Sequence, residues 1–251
     1  FPLEDDAAIN ATAGLRWGFT PGWNFGLNLA HKTRFPTLKD RYSYRLGTAL
    51  PNPDLQAEQA DHVDIGIDGG LAGASARFAV FGSWRDDAIS SVSLPATACT
   101  SPPCSQLQNV GRQRRRGFEL SLARAFPVVG ELSLGWSLVD VDNLSQPQVQ
   151  AVYTPRNKLL LASETALGTH VRLRLGFKAE DGRLSTSNGS RSTPGFGVFE
   201  AGFDFDLGGG LRLLVEGQNL GDRLYYYDEG FPEPGRSYAA TLIWQPGEAR
   251  Q

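Results

Sequence analysis

The residues best suited to chemistry are the three histidines His31, His62 and His170, the carboxylate pair Asp86-Asp87, and the two cysteines Cys99 and Cys104. Hydrolysis requires a nucleophile or an activated water beside a base. The histidines are far apart in the chain, they fall in or beside segments that read as strands, and no serine stands in a nucleophile-elbow pattern. Asp86-Asp87 reads more simply as a solvated strand end. The chain is therefore not expected to be an enzyme, and no residue is assigned as catalytic or as a metal ligand. The cysteines lie in the turn-rich stretch Thr97–Ser105. They form a disulfide suited to an oxidising compartment, remain a pair of free thiols, or supply half of a metal site. With no other cysteine and no nearby histidine, the disulfide is the expectation.

The elements that would carry such residues are short. The 251 residues include 29 Gly and 14 Phe, with scattered brief apolar runs, a composition that suits many strands better than a helical core. A net charge of −3 leaves no basic excess to neutralise a phosphate backbone, so nucleic acid is not an expected partner. No run approaches the roughly 18 apolar residues of a membrane helix. A membrane-crossing strand needs only about 9 to 11 residues of alternating polarity, which the mean hydropathy of −0.27 averages away. The opening Phe1-Pro2-Leu3-Glu4-Asp5-Asp6 has no basic-then-apolar leader. A removed leader or an excerpt from a longer chain is expected.

Alternation with period two recurs along the chain. Leu15, Trp17 and Phe19 turn at Pro21-Gly22 into Trp23, Phe25, Leu27 and Leu29. Val63, Ile65 and Ile67 lead to Phe78, Val80 and Trp84; Phe118, Leu120 and Leu122 lead to Leu132, Leu134, Trp136 and Leu138. Leu159 and Leu161 lead through Gly168-Thr169 into Val171, Leu173, Leu175 and Phe177, which alternate with Arg172, Arg174, Gly176 and Lys178, and Phe199 to Phe205 precede Leu211 to Val215 and a last run from Ser237 to Gln245. Template matching predicts about eleven strands. Short Pro/Gly turns alternate with long polar segments at 35–58, 93–106, 144–155, 182–195 and 221–236. An antiparallel transmembrane β-barrel places its short turns on one side and its long loops on the other, whereas a soluble sandwich has no reason to do so. Trp17, Trp23, Trp84, Trp136 and Trp244 are expected near strand ends, as an interfacial girdle.

Four segments then carry a resemblance. Arg34-Phe35-Pro36-Thr37-Leu38-Lys39-Asp40-Arg41-Tyr42 with Pro51-Asn52-Pro53-Asp54-Leu55-Gln56-Ala57-Glu58 is one, and Asn109-Val110-Gly111 through Arg116-Gly117-Phe118-Glu119 is the second. The third is Asn219-Leu220-Gly221-Asp222-Arg223-Leu224-Tyr225, and the fourth is Glu229-Gly230-Phe231-Pro232-Glu233-Pro234-Gly235-Arg236-Ser237-Tyr238. In order and spacing they resemble the barrel of TonB-dependent outer-membrane receptors. Their residues also have a plain reading: Asn52-Pro53 starts a turn, Gly111 and Gly117 make room where a strand curves or a bulky neighbour fits, Asn219 and Asp222 make Asx turns, and Gly235 eases a turn before Arg236.

The resemblance implies that residues 1–245 are the C-terminal half of a 22-stranded barrel, followed by a polar tail over 246–251, with the plug domain absent. It implies an outer-membrane location in a Gram-negative bacterium, a lipid-facing wall, and import of a scarce ligand such as a ferric siderophore or cobalamin. No resident cofactor is implied. The implied partners are lipid, a small metal chelate and a periplasmic TonB-type transducer that acts through the missing N-terminal part. Loop aromatics and cations become the expected ligand contacts, namely Tyr42, Tyr44 and Arg45 in the first long loop and Tyr225, Tyr226 and Tyr227 in the last. The rival for the tyrosines is an outer interfacial belt, and the rival function is a passive porin-like or structural barrel. Eleven strands would leave two unpaired edges.

Overall fold

The computed structural model describes residues 7–246, so all but Pro246 of the expected tail lies outside the described residues. Eleven strands form one sheet: β1 (Ala11–Thr20), β2 (Trp23–Arg34), β3 (Glu58–Leu71), β4 (Ala74–Asp86), β5 (Gln113–Phe126), β6 (Gly130–Asn143), β7 (Asn157–Ala166), β8 (Val171–Glu180), β9 (Phe196–Gly208), β10 (Leu211–Gln218) and β11 (Ser237–Trp244). Each pairs antiparallel with the next in a meander. The same holds through the second half of the sheet. The sheet does not close, and β1 and β11 each keep one unpaired edge among the described residues.

The connections alternate as the sequence predicts. Turns at 21–22, 72–73, 127–129, 167–170 and 209–210 lie at one end, and loops at 35–57, 87–112, 144–156, 181–195 and 219–236 lie at the other. Gly22 and Gly73 adopt left-handed φ of 78° and 79°, which tight hairpins need and glycine supplies without a Cβ clash.

Register sorts the side chains onto two faces. Trp17, Phe25, Ile67, Phe78, Leu120, Trp136 and Leu159 are directly opposed in sequence across β1 to β7. That row is apolar throughout. It starts three residues from the turn end in β1 and reaches the loop end in β7, so the strands are staggered as tilted barrel strands must be. The other face carries Asn24, Asp68, Arg77 and Ser121 in one row and Arg172 opposite Asp204 in another.

Exposure is inverted relative to a soluble domain. Trp17 is 60% exposed, Phe199 56% and Leu242 63%, while Glu58, Glu180 and Asp204 on the polar face are buried. A water-soluble chain rarely displays so large a continuous apolar surface. A cleft of about 350 Å³ is lined by residues of five successive strands, from Glu131 on β6 through Glu164, Arg174 and Glu200 to Glu216 on β10. One cleft can span five strands only where the sheet curves toward that face, so the polar face is concave.

Three expectations need correction. Trp136 is mid-strand; its ring packs edge-on against Phe118 at 4.7 Å and its indole N–H donates to Asn157 Oδ1 at 3.3 Å, level with the loop end of β7 because of the stagger. The second loop extends over 87–112 rather than 93–106, because Ile89–Ser93 and Ser105–Asn109 leave the main sheet and form a small separate one with Ala49–Leu50. Gly111 consequently sits in that loop, with φ of 75°, and not in a curving strand. Gly117 does fit the expectation: a Cβ there would lie 2.6 Å from the Phe81 ring and 2.0 Å from the Leu138 carbonyl oxygen.

Candidate functional site

The long loops converge on one end of the sheet, and the residues of the first two motifs lock them together. Thr37 caps the short helix α1 (Leu38–Tyr42) by accepting from the Asp40 N–H at 3.1 Å, while Asp40 accepts from the Thr37 N–H at 3.0 Å. Pro36 immediately precedes this capping box. Arg34, at the end of β2, donates to the same Asp40 carboxylate at 2.9 Å. Burial alone would raise the Asp40 pKa, but the Thr37 N–H, the Arg34 guanidinium and the Thr37 hydroxyl together hold it below the ordinary carboxylate value.

Asn52 donates to the Leu107 carbonyl at 2.8 Å, across two loops. Asn109 joins three segments: its amide donates to the carbonyls of Gln56 at 3.1 Å and Asp87 at 2.7 Å, and its Oδ1 accepts from the Gln56 N–H at 2.9 Å. Glu58 accepts from Arg85 Nη1 at 3.3 Å and from the Ile89 N–H at 2.9 Å, which ties β3 and β4 to the start of the second loop. A small apolar core of Ala88, Val110 and Val149, with Val92 against it, seals the junction with the third loop. Ser93 and Ser187 exchange hydrogen bonds of 2.8 and 3.1 Å and carry the linkage to the fourth. The Cys99 and Cys104 sulfurs are bonded at 2.05 Å, closing the tip of the second loop. Four loops therefore form one platform.

An aromatic and cationic wall stands beside it, on the concave face. Phe196 opens β9 opposite Glu180, the last residue of β8, and the returning fifth loop lays Tyr225 on it at 4.5 Å and Tyr227 edge-on at 5.5 Å. Lys178 lies over the Tyr227 ring at 4.6 Å and bonds its hydroxyl, and Arg183 faces the same ring at 5.2 Å. Buried Glu180 accepts from both cations, with Lys178 Nζ at 3.3 Å. One carboxylate thus holds two cations against one ring, leaving net positive charge beside aromatic faces. Burial, reinforced by Tyr227 and Glu233, raises the Tyr225 pKa, so its phenol stays neutral and able to donate near pH 7.

The six tyrosine and arginine positions expected as ligand contacts are split by this arrangement. Tyr225 and Tyr227 come together on the wall, while Tyr226 makes none of its ring contacts. Tyr42, Tyr44 and Arg45 lie on the first loop, between β2 and β3, near the opposite end of the sheet. Tyr42 and Tyr44 are exposed there, and Arg45 and Leu46 adopt left-handed φ of 42° and 55°. Lys178, Arg183 and Phe196 were not expected. A signal existed for Phe196: it is an aromatic at a polar-face position, out of step with Phe199 and Phe203.

The last two motifs brace the fifth loop. Asn219, at φ of 47°, donates to the carbonyls of Arg223 and Pro234 and accepts from the Arg223 N–H. Asp222 accepts from the Arg236 N–H at 2.9 Å. Gly235 serves close approach and not a turn angle, since a Cβ there would fall 2.8 Å from Asp222 Oδ1. Glu119 lies on the concave face without an ion-pair partner among the described residues. No group of three or more His, Cys, Asp or Glu among the described residues is placed to hold a metal ion.

The family model described as TonB dependent receptor-like, beta-barrel, matches residues 3–220. Among solved structures the chain is similar to the copper transporter OprC, with a TM-score of 0.77 and 16% identity over 92% of this chain and 38% of that one. It is also similar to a mutant of the ferric enterobactin receptor PfeA from Pseudomonas aeruginosa, with a TM-score of 0.72 and 16% identity over 93% and 39%. The ferric yersiniabactin uptake receptor FyuA from Yersinia pestis gives a TM-score of 0.66 and 14% identity over 92% and 35%. The chain thus spans about two fifths of the length of these structures. No curated protein matches it.

Proposed function

The chain belongs to the TonB-dependent receptor β-barrel family, and from that membership we propose that it supplies wall and loops to an outer-membrane receptor for active import of an anionic, aromatic metal chelate. The observation that carries the ligand class is the wall of Phe196, Tyr225 and Tyr227 backed by Lys178 and Arg183 on the concave face at the loop end. Flat π-rich chelators stack on the half-buried Tyr225 and Tyr227 rings, which buried Phe196 backs, and their anionic donor groups pair with Lys178, since Arg183 is buried against Glu180. Ferric siderophores with catecholate donors have this chemistry, whereas cobalamin offers a conjugated ring for stacking but no net negative charge for the cations.

In this reading the apolar face meets lipid and the concave face lines the passage. The linked loops are external. Their mutual hydrogen bonds, and the apolar core between the second and third, hold them in place, so little ordering accompanies capture. Energy for release into the periplasm comes from a TonB-type transducer that acts through parts of the receptor outside this chain.

The test uses the whole natural polypeptide in cells. Uptake of radiolabelled iron as ferric enterobactin, and of labelled cyanocobalamin, is compared between wild type, Tyr227→Ala and Lys178→Gln, with and without a protonophore. Protonophore-sensitive uptake of one probe, lowered roughly tenfold or more by either substitution, is expected. Protonophore-insensitive leakage of both probes, unaffected by either substitution, identifies a passive barrel and removes the proposal.

A further inference from the structure

We propose that a second site on the concave face, formed by Lys32 on β2, His62 on β3, Ser83 and Arg85 on β4 and Arg115 on β5, binds a small diffusible oxyanion through a phosphate- or carboxylate-like group. Its residues come from four adjacent strands in two neighbouring rows. His62 is directly opposite Ser83, and Ser83 is directly opposite Arg115. One row nearer the loops, Lys32 is opposite Ala60, which is opposite Arg85. Directly opposed side chains on one face of a sheet start about 4.5 to 5.5 Å apart. The five polar groups therefore surround one small area of wall, away from the aromatic wall on β8 and β9.

Charge is left over there. Arg115 is half-buried, and among the described residues no carboxylate lies within ion-pair distance of it. On the same face Arg172 reaches Glu164 at 3.0 Å, Arg16 reaches Asp68 at 2.9 Å, and Arg212 bonds Asp204. Of the nearby carboxylates, Glu58 already pairs with Arg85 of the cluster and with the Ile89 N–H, and Asp64 accepts from Asn28 at 3.4 Å, so the surplus positive charge rests on Lys32 and Arg115.

The donors are also oriented. Arg115 Nε donates to Gln113 Oε1 at 3.1 Å, and buried Gln113 is fixed by the Asn143 side chain at 2.8 Å. That leaves the terminal guanidinium nitrogens as a planar fork, the geometry that matches a carboxylate or phosphate. Ser83 is 5% exposed and its hydroxyl has no hydrogen-bond partner among the described residues; buried Arg85 Nε likewise has none. Buried polar atoms are almost always satisfied, and two donors left open between cations lack an acceptor. An oxyanion provides one, while neutralising Arg115.

The site rests on the reading of the concave face as a solvent-reached passage, but not on the identity of the imported chelate. Inorganic phosphate is the probe. It is titrated calorimetrically into the detergent-solubilised whole polypeptide at constant ionic strength, for wild type, Arg115→Gln, Arg115→Lys, Ser83→Ala and the control Arg77→Gln. Arg77 is on the same strand and face as Ser83 but is exposed and outside the cluster. Saturable binding is expected, weakened about tenfold or more by Arg115→Gln, partly restored by Arg115→Lys, weakened severalfold by Ser83→Ala, and changed less than about twofold by Arg77→Gln. Absence of saturable binding to the wild type, or equal weakening by Arg115→Gln and Arg77→Gln, overturns the site. Chelate uptake that persists alongside a failed phosphate titration removes this inference alone and leaves the transport proposal intact.

Discussion

At the scale of single residues, the first motif is explained by a cap and a charge. Asp40 closes the α1 capping box and holds Arg34 at the same time. Its pKa is depressed in the fold, so its contribution is fully present above the ordinary aspartate range near pH 4 and is lost as pH falls through the lowered native value. Asp40→Asn should weaken the loop locally by roughly 1 kcal/mol, the usual scale of a lost cap. The expected readout is faster proteolytic nicking within residues 35–57 near neutral pH, with the difference from wild type narrowing below about pH 3; identical nicking at neutral pH would contradict it. Gly117→Leu should be far more damaging, because even a Cβ meets the Leu138 carbonyl oxygen and the Phe81 ring. Loss of the heat-modifiable folded band on an unboiled gel is expected, with a double substitution to Phe81→Ala failing to restore it, since the carbonyl contact remains.

At the scale of elements, alternation made all eleven long strands readable, because one face of each is apolar with period two and the turn residues mark the hairpins. The polar hairpin Ile89–Ser93 with Ser105–Asn109 was not readable: it has no amphipathic face, and its order comes from other loops. The same reason hid the aromatic wall. Phe196, Lys178 and Tyr227 meet only through the β8–β9 pairing and the return of the fifth loop, contacts that no local pattern encodes. Asn109 was legible as a motif residue but not as a clamp on Gln56 and Asp87. Asn109→Ala leaves those backbone groups unpaired, so hydrogen exchange should accelerate by roughly tenfold or more over both 51–57 and 87–92, while the main sheet stays protected. Acceleration confined to the mutated loop would show that the loops are independent.

At the scale of the whole molecule, the open sheet poses a problem that its side chains do not. The outer edges of β1 and β11 carry unpaired N–H and C=O groups, which hydrocarbon cannot satisfy. On the proposed outer-membrane reading both edges meet further strands, so residues 1–251 expressed alone should give no heat-modifiable band, whereas the whole polypeptide should. The central claim is that the two faces of this sheet meet different solvents, and spin labelling along β9 tests it most directly. Single cysteines at positions 198 to 204 of the whole polypeptide in lipid bilayers would carry the label, the native pair being occupied by its own disulfide. Collision with oxygen should peak at Phe199, Ala201 and Phe203, and collision with a water-soluble nickel chelate should peak at Val198, Glu200, Gly202 and Asp204. Accessibility to both probes that varies smoothly along the strand, without that two-residue alternation, would contradict a wall between lipid and an aqueous passage.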